Sequence, residues 1–135
     1  MYRRTVLAAL TGALALFSVA AGHAAESAEF TQGAFEAAQK AGRPILIEIT
    51  APWCPTCRAQ KPILSELTAA PKFEDLAVFD VDFDSRKDVL RLFHAQSQST
   101  LIAFRGPDEV GRSVGDTAPA SIAALLNKTL SSATP

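Results

Sequence analysis

Hydrophobic positions along the chain follow two alternating patterns: short unbroken apolar runs, and stretches where they return every third or fourth residue. The first pattern marks buried strands and the second amphipathic helices. Thr31 is placed to cap a helix through Ala41, with Phe35 and Ala38 on one face and Gly42 as its stop. Ile45 to Thr50, rich in β-branched residues, reads as a buried strand. Pro55 to about Ala69 reads as a helix in which Ala59, Ile63 and Leu67 recur every fourth residue. Pro55 suits the first helical position, where its missing N–H costs nothing, whereas Pro62 is expected to kink the helix. Leu76 to Phe83 gives a second strand. Ser85 and Asp88 have the spacing of a capping box for a short helix through His94, with Val89, Leu92 and Phe93 inward. Leu101 to Phe104 and Glu109 to Val114 form two strands joined across Gly106-Pro107-Asp108, a hairpin signal. Thr117 then caps a last helix with Ile122, Leu125, Leu126 and Leu130 on one side.

One apolar stretch stands outside this order. Arg3 and Arg4 precede a small-residue apolar run from Val6 to Ala21, followed by Gly22-His23-Ala24. That is the layout of a cleavable export signal, with cleavage expected after Ala24, or alternatively after Ala21 or Ala25, and a domain spanning residues 25–135. The run is shorter than the roughly 20 residues a membrane-spanning helix needs, so no stable membrane insertion is expected after cleavage. About 110 residues then remain, enough for one domain with its own core. Without Arg3 and Arg4 the balance is 11 basic against 14 acidic side chains. No basic cluster is left to track phosphates, which argues against nucleic acid as a partner.

The chemistry sits in Cys54-Pro55-Thr56-Cys57, which holds the only two cysteines of the 135 residues. An apolar strand, an aromatic residue and then Cys-x-x-Cys place both sulfurs where a strand ends and a helix begins. There the first N–H groups and the helix dipole stabilise a thiolate. A bridge between residues three apart closes almost no loop, so it does little to staple the fold. Sulfurs at that helical spacing are close enough to bridge, and the pair can switch between dithiol and disulfide. An exported chain meets an oxidising compartment, where such a pair acts as an oxidant or is kept reduced by a dedicated donor.

The segment Pro44-Ile-Leu-Ile-Glu-Ile-Thr-Ala-Pro-Trp-Cys-Pro-Thr-Cys-Arg58 resembles the strand and active-site segment of the thioredoxin family almost position for position. Pro62 stands where that family has its helix-kinking proline, and Phe93 to Phe104, Gly106 and Val114-Gly115 match the spacing of its second half. Trp53 to Arg58 is similar to the active site of periplasmic thioredoxin-like reductants that serve cytochrome c maturation. The stretch from Phe35 through Gly42-Arg43-Pro44 resembles the thioredoxin domain that ends transmembrane electron-relay proteins. The resemblance implies an α/β thioredoxin fold, a central mixed sheet of four to five strands flanked by helices, with no cofactor beyond the cysteine pair. Cys54, nearer solvent at the helix start, is the expected nucleophile, and the more buried Cys57 the resolving thiol. Glu48 interrupts a buried strand, where its pKa should rise, and it matches the family's buried acid; the alternative is a carboxylate in water at a strand edge. Trp53 reads as a contact platform beside the sulfurs, or else as core filling, and Pro55 and Thr56 as residues that tune the potential.

One position departs from the family. The residue before Thr100, expected to be a cis-proline against the disulfide, is Ser99. A cis bond before a non-proline residue costs about 2.5–4 kcal/mol, so a trans bond and a different path for Gln96 to Thr100 are expected. In the family this loop pairs with the substrate chain, so substrate recognition through Ser99 and Thr100 is what the change puts in question. Asp80, Asp82 and Asp84 alternate like metal ligands but lack the glycine of a calcium loop and read as a solvated strand face; His94 reads as a helix-dipole partner. The expected function is a periplasmic thiol:disulfide oxidoreductase that reduces or exchanges disulfides in exported proteins, fed by a membrane electron donor. A disulfide-forming oxidase is one alternative. Another is a non-catalytic binding module whose Ser99 loop holds a protein partner or a metal shared between chains.

Overall fold

The computed structural model describes residues 25–130. Its elements are β1 (Glu26–Glu29), α1 (Gln32–Lys40), β2 (Pro44–Thr50), α2 (Pro55–Thr68), β3 (Ala77–Asp82), α3 (Lys87–Leu92), β4 (Thr100–Arg105), β5 (Asp108–Val114) and α4 (Pro119–Asn127). They build a mixed five-stranded sheet in the order β1-β3-β2-β4-β5. β1 and β2 both run parallel to β3, while β4 lies antiparallel to β2 and β5 antiparallel to β4. β2 is therefore the central strand, flanked on both sides. The export signal expected over residues 1–24 lies outside the described residues. Among the described residues no helix is long and apolar enough to cross a membrane.

Alternation along β2 assigns the two faces of the sheet. Ile45, Ile47 and Ile49 point into a core with Phe30, Phe35, Phe79, Phe93 and Phe104, closed by α1 and α3. These phenylalanine rings meet at centroid distances between 5.3 and 6.1 Å, mostly edge to face, which adds directional stability to the burial. Leu46 points the other way, into a second core with Leu64 of α2 and Ile122, Leu125 and Leu126 of α4. Gly106 opens the two-residue β4–β5 turn at φ +56°, a left-handed conformation that favours glycine, and packs against the Gly42 backbone.

Several local expectations are corrected. β1, with four exposed residues Glu-Ser-Ala-Glu, carries no apolar signal and gains strand form only from pairing with β3. Thr31 does cap α1, its Oγ1 accepting the Ala34 N–H at 3.2 Å. Ser85 does not cap α3. Its N–H and hydroxyl both donate to the Asp82 carboxylate, and Asp88 is held by Arg86 instead. Leu92 is exposed and Leu90 takes the inward place. His94 falls past the helix end at φ +51°. Asp116, not Thr117, accepts the Ala118 N–H before α4, and Leu130 lies beyond that helix. On α2 the buried stripe is Cys57, Gln60 and Leu64; Ile63 and Leu67 sit at its margin and Ala59 is exposed.

Candidate redox site

β2 ends at Thr50, and Cys54 is the N-cap of α2, with Pro55 at the first helical position. The Cys54 N–H donates to the Ala51 carbonyl at 3.1 Å, which turns the chain back on itself before the helix starts. Cys54 and Cys57 are disulfide-bonded, with Cα atoms 5.3 Å apart. The Cys57 N–H donates to the Cys54 Sγ at 3.0 Å, so the sulfur occupies the position of a capping oxygen at the positive end of the helix. That N–H and the helix dipole hold negative charge on Cys54 when the bridge opens.

The expected ordering of exposure is not what the fold builds. Cys54 is 1 % exposed and Cys57 5 %, so Cys54 is not the nearer to solvent. The Ala51 turn folds Cys54 inward, where Ala51 and Phe83 pack against the disulfide. What separates the two sulfurs is polarity of surroundings: Cys54 caps the helix and Cys57 lies on its buried stripe.

Glu48 lies in the middle of the central strand, 8 % exposed, with Asp80 beside it on β3 and Leu101 on β4. The strand-edge alternative is thereby removed. Glu48 points to the face that α2 covers, at a cleft of about 610 Å³ also lined by Lys61, Ser65 and Asp80. Its carboxyl is pushed up to about 7, first by loss of water on burial and then by the charge of Asp80, with Lys61 pulling the other way. A carboxyl poised near neutrality at the wall of a cleft is suited to exchange a proton.

Trp53 is 53 % exposed, so it does not fill the core. Its Nε1–H donates to Asp84 at 2.8 Å and its ring stands edge-on to Phe83, 6.5 Å away, which fixes an apolar plate at the rim of the disulfide. Pro55 is exposed and Thr56 half-buried on the same rim. The aspartates expected on a solvated strand face are divided among other tasks. Asp80 accepts the Ser27 hydroxyl at 2.9 Å, Asp82 organises the turn before α3, and Asp84 orients Trp53. The N–H and hydroxyl of Ser85 hold the Asp82 carboxyl below its ordinary range.

β4 begins at Thr100, opposite Ile49 of β2, so Ser99 stands at the sheet end where β2 delivers Cys54. The bond before Ser99 is trans and Ser99 has φ +54°, a left-handed conformation unusual for serine. Ser99 and Thr100 are 5 % and 2 % exposed. Their hydroxyls turn back onto the carbonyls of Gln98 and Ser97. One buried residue escaped the sequence reading altogether. Gln60 is fully buried, its amide donating to the Ser99 and Asp116 carbonyls. Its only sequence signal is its register on the buried stripe, between Cys57 and Leu64.

The thioredoxin family model matches residues 26–128. The chain belongs to the thioredoxin family. It is 38 % identical over 81 residues to a thioredoxin H-type of Fagopyrum esculentum, across 60 % of this chain and 68 % of that one. A thioredoxin of Mycobacterium bovis is 36 % identical over 73 residues, across 54 % of this chain and 62 % of the relative. The crystal structure of Trxlp from Edwardsiella tarda superposes with a TM-score of 0.73 at 40 % identity, covering 75 % of this chain and 98 % of that chain. The five-stranded mixed sheet is thus the thioredoxin fold, and the bridged Cys54–Cys57 pair at the start of α2 is that of a thioredoxin-type thiol:disulfide oxidoreductase acting on protein thiols or disulfides.

Proposed function

We propose that this thioredoxin works in the periplasm as a reductant or exchange partner for disulfide-containing exported proteins, and that a membrane electron donor returns it to the dithiol form. Support for the location comes from the signal-like residues 1–24 and from the likeness of Trp53 to Arg58 to periplasmic reductants. The chemistry rests on one observation, the Cys54 sulfur accepting the Cys57 N–H at the helix start. In the dithiol form the Cys54 thiolate attacks one sulfur of a substrate disulfide, giving a mixed disulfide and releasing the other sulfur as a thiolate. Cys57 then gives up its proton and attacks Cys54, re-forming the Cys54–Cys57 bridge and releasing the second substrate thiol. Two electrons pass from the cysteine pair to the substrate. Glu48, poised near neutral pH on the face α2 covers, is the group assigned to take the Cys57 proton.

Insulin reduction with dithiothreitol as the recycling donor tests this reading. The wild-type chain should accelerate precipitation of the insulin B chain. Cys54→Ser should fall to the uncatalysed rate, and Cys57→Ser should accumulate a mixed disulfide. A Cys54→Ser variant that stays active would overturn the assignment. Fractionation of a bacterial host making the full chain tests the location: a species lacking residues 1–24 should leave the cells on osmotic shock.

A further inference from the structure

We infer that Gln60 is a positioning residue that clamps the loop before β4 over the disulfide and so sets recognition of protein substrates. Three separate pieces of chain meet at its side chain. Gln60 sits on the buried stripe of α2, one turn after Cys57, and its Nε2 group donates to the Ser99 carbonyl at 3.3 Å and to the Asp116 carbonyl at 2.8 Å. Both bonds cross long stretches of sequence, so a single amide ties the redox helix to the loop before β4 and to the turn after β5. The Ser99 carbonyl also accepts the Gly115 N–H at 2.9 Å, which makes it the point where the two loops are joined.

The backbone at Ser99 gives the clamp something to hold. A serine at φ +54° stays there only where its surroundings over-determine it, and the bonds to its carbonyl come from Gln60 and Gly115. The choice of glutamine also costs stability on its own account. Its Oε1 is buried without a partner, a penalty that an aliphatic side chain of similar length would not carry. The register of α2 asks for an apolar residue between Cys57 and Leu64, so the amide is explained by its two donors and not by packing.

This inference rests on the redox reading of Cys54 and Cys57, and it makes a prediction that stability alone does not. Helix-start activation of Cys54 uses the Cys57 N–H and does not pass through Gln60. A small disulfide that needs only the sulfur should therefore be insensitive to Gln60, whereas a protein disulfide needs the loop in place. Gln60→Met keeps length and volume and removes both donors. It should raise KM for insulin at least tenfold with kcat within threefold, and change the rate with 5,5′-dithiobis(2-nitrobenzoate) less than twofold. A thermal melt of each preparation confirms folding, and Gln60→Leu, which can pack against Leu64, takes the same test if the methionine variant does not fold. Wild-type protein inert toward both disulfides would overturn the redox reading and this inference with it. An active wild type whose Gln60 variants keep the insulin KM, or lose both substrates equally, would leave the redox reading standing and overturn the clamp.

Discussion

The two faces of the sheet are made by the same strand and built to different rules. On the side closed by α1 and α3, β2 contributes Ile45, Ile47 and Ile49 to a core holding five phenylalanines, and the buried Thr100 opposite Ile49 has its hydroxyl satisfied by the Ser97 carbonyl. On the side closed by α2 and α4, the same strand contributes Leu46 and then Glu48, the helix contributes Gln60 beside Cys57, and Glu48 lines a cleft of about 610 Å³. Burying an ionisable or half-satisfied polar group is costly, so the second face gives up stability that the first supplies. The difference teaches where to look for chemistry in such a fold: at the polar interruptions of an otherwise apolar face. It also implies that the two faces respond differently to substitution.

The largest separation should come from the phenylalanine face. Phe35 touches the rings of Phe30, Phe79, Phe93 and Phe104 at 5.3–6.1 Å and is 6 % exposed. Phe35→Ala should cost about 3–5 kcal/mol in urea unfolding, the usual loss for emptying an aromatic site in a packed core. The reduction potential of the remaining folded protein, measured against a glutathione buffer, should stay within about 10 mV, equivalent to roughly 0.5 kcal/mol. A larger shift would show that Phe83, which packs against both this core and the disulfide, passes the perturbation on to the sulfurs, and that the two faces are not independent.

The middle of the scale belongs to Glu48. Its folded pKa of about 7 lies above the ordinary value of 4.5, so the native state holds the proton more tightly than the unfolded chain. The stability this confers is complete below about pH 4.5 and is lost as pH rises toward about 7, a change on the order of 3 kcal/mol. Glu48→Gln removes the titration. The variant should thus gain on the wild type as pH rises through that window, up to about 3 kcal/mol by pH 8, with the difference level beyond it. In rapid-mixing experiments the same variant should release the mixed disulfide more slowly while the first attack is unchanged. A stability difference independent of pH would place Glu48 in water and remove the contrast between the faces.

Much of this was legible in the sequence because it depends on local pattern. The Ile45 to Thr50 run, the proline and cysteines that open α2, and Thr31 before α1 each act through neighbours within a few residues, and each lies where the pattern put it. What could not be read depends on distant partners. β1 is polar throughout and exists because β3 offers an edge, and Ser85 loses its capping role because Asp82 competes for it. Gln60 looked like any helical glutamine, since its partners Ser99 and Asp116 lie 39 and 56 residues away. Cys54 was expected nearer solvent because a helix start is usually exposed; the Ala51 turn that buries it is a matter of tertiary path.

The smallest effect, and the finest test of the contrast, is at Ser99. At φ +54° a side chain crowds its own backbone, while glycine occupies that region freely. Ser99→Gly should therefore keep the loop. Relief of the left-handed penalty, about 1–2 kcal/mol, is partly offset by the greater freedom of glycine in the unfolded chain, about 0.4–1 kcal/mol, leaving the variant between neutral and about 1.6 kcal/mol more stable. Ser99→Pro does the opposite. The ring locks φ near −65°, so the backbone must swing away and the carbonyl leaves the donors Gln60 and Gly115. Two hydrogen bonds at roughly 0.5–1.5 kcal/mol each set the expected loss at about 1–3 kcal/mol in urea unfolding. Although this restores the residue the family usually places there, the insulin KM of the proline variant should rise, because this chain's Gln60 and Gly115 are built around the left-handed serine. A proline variant as stable as the glycine one, with an unchanged KM, would mean that the loop is free to choose its path and that the polar face is held by the sulfurs and Glu48 alone.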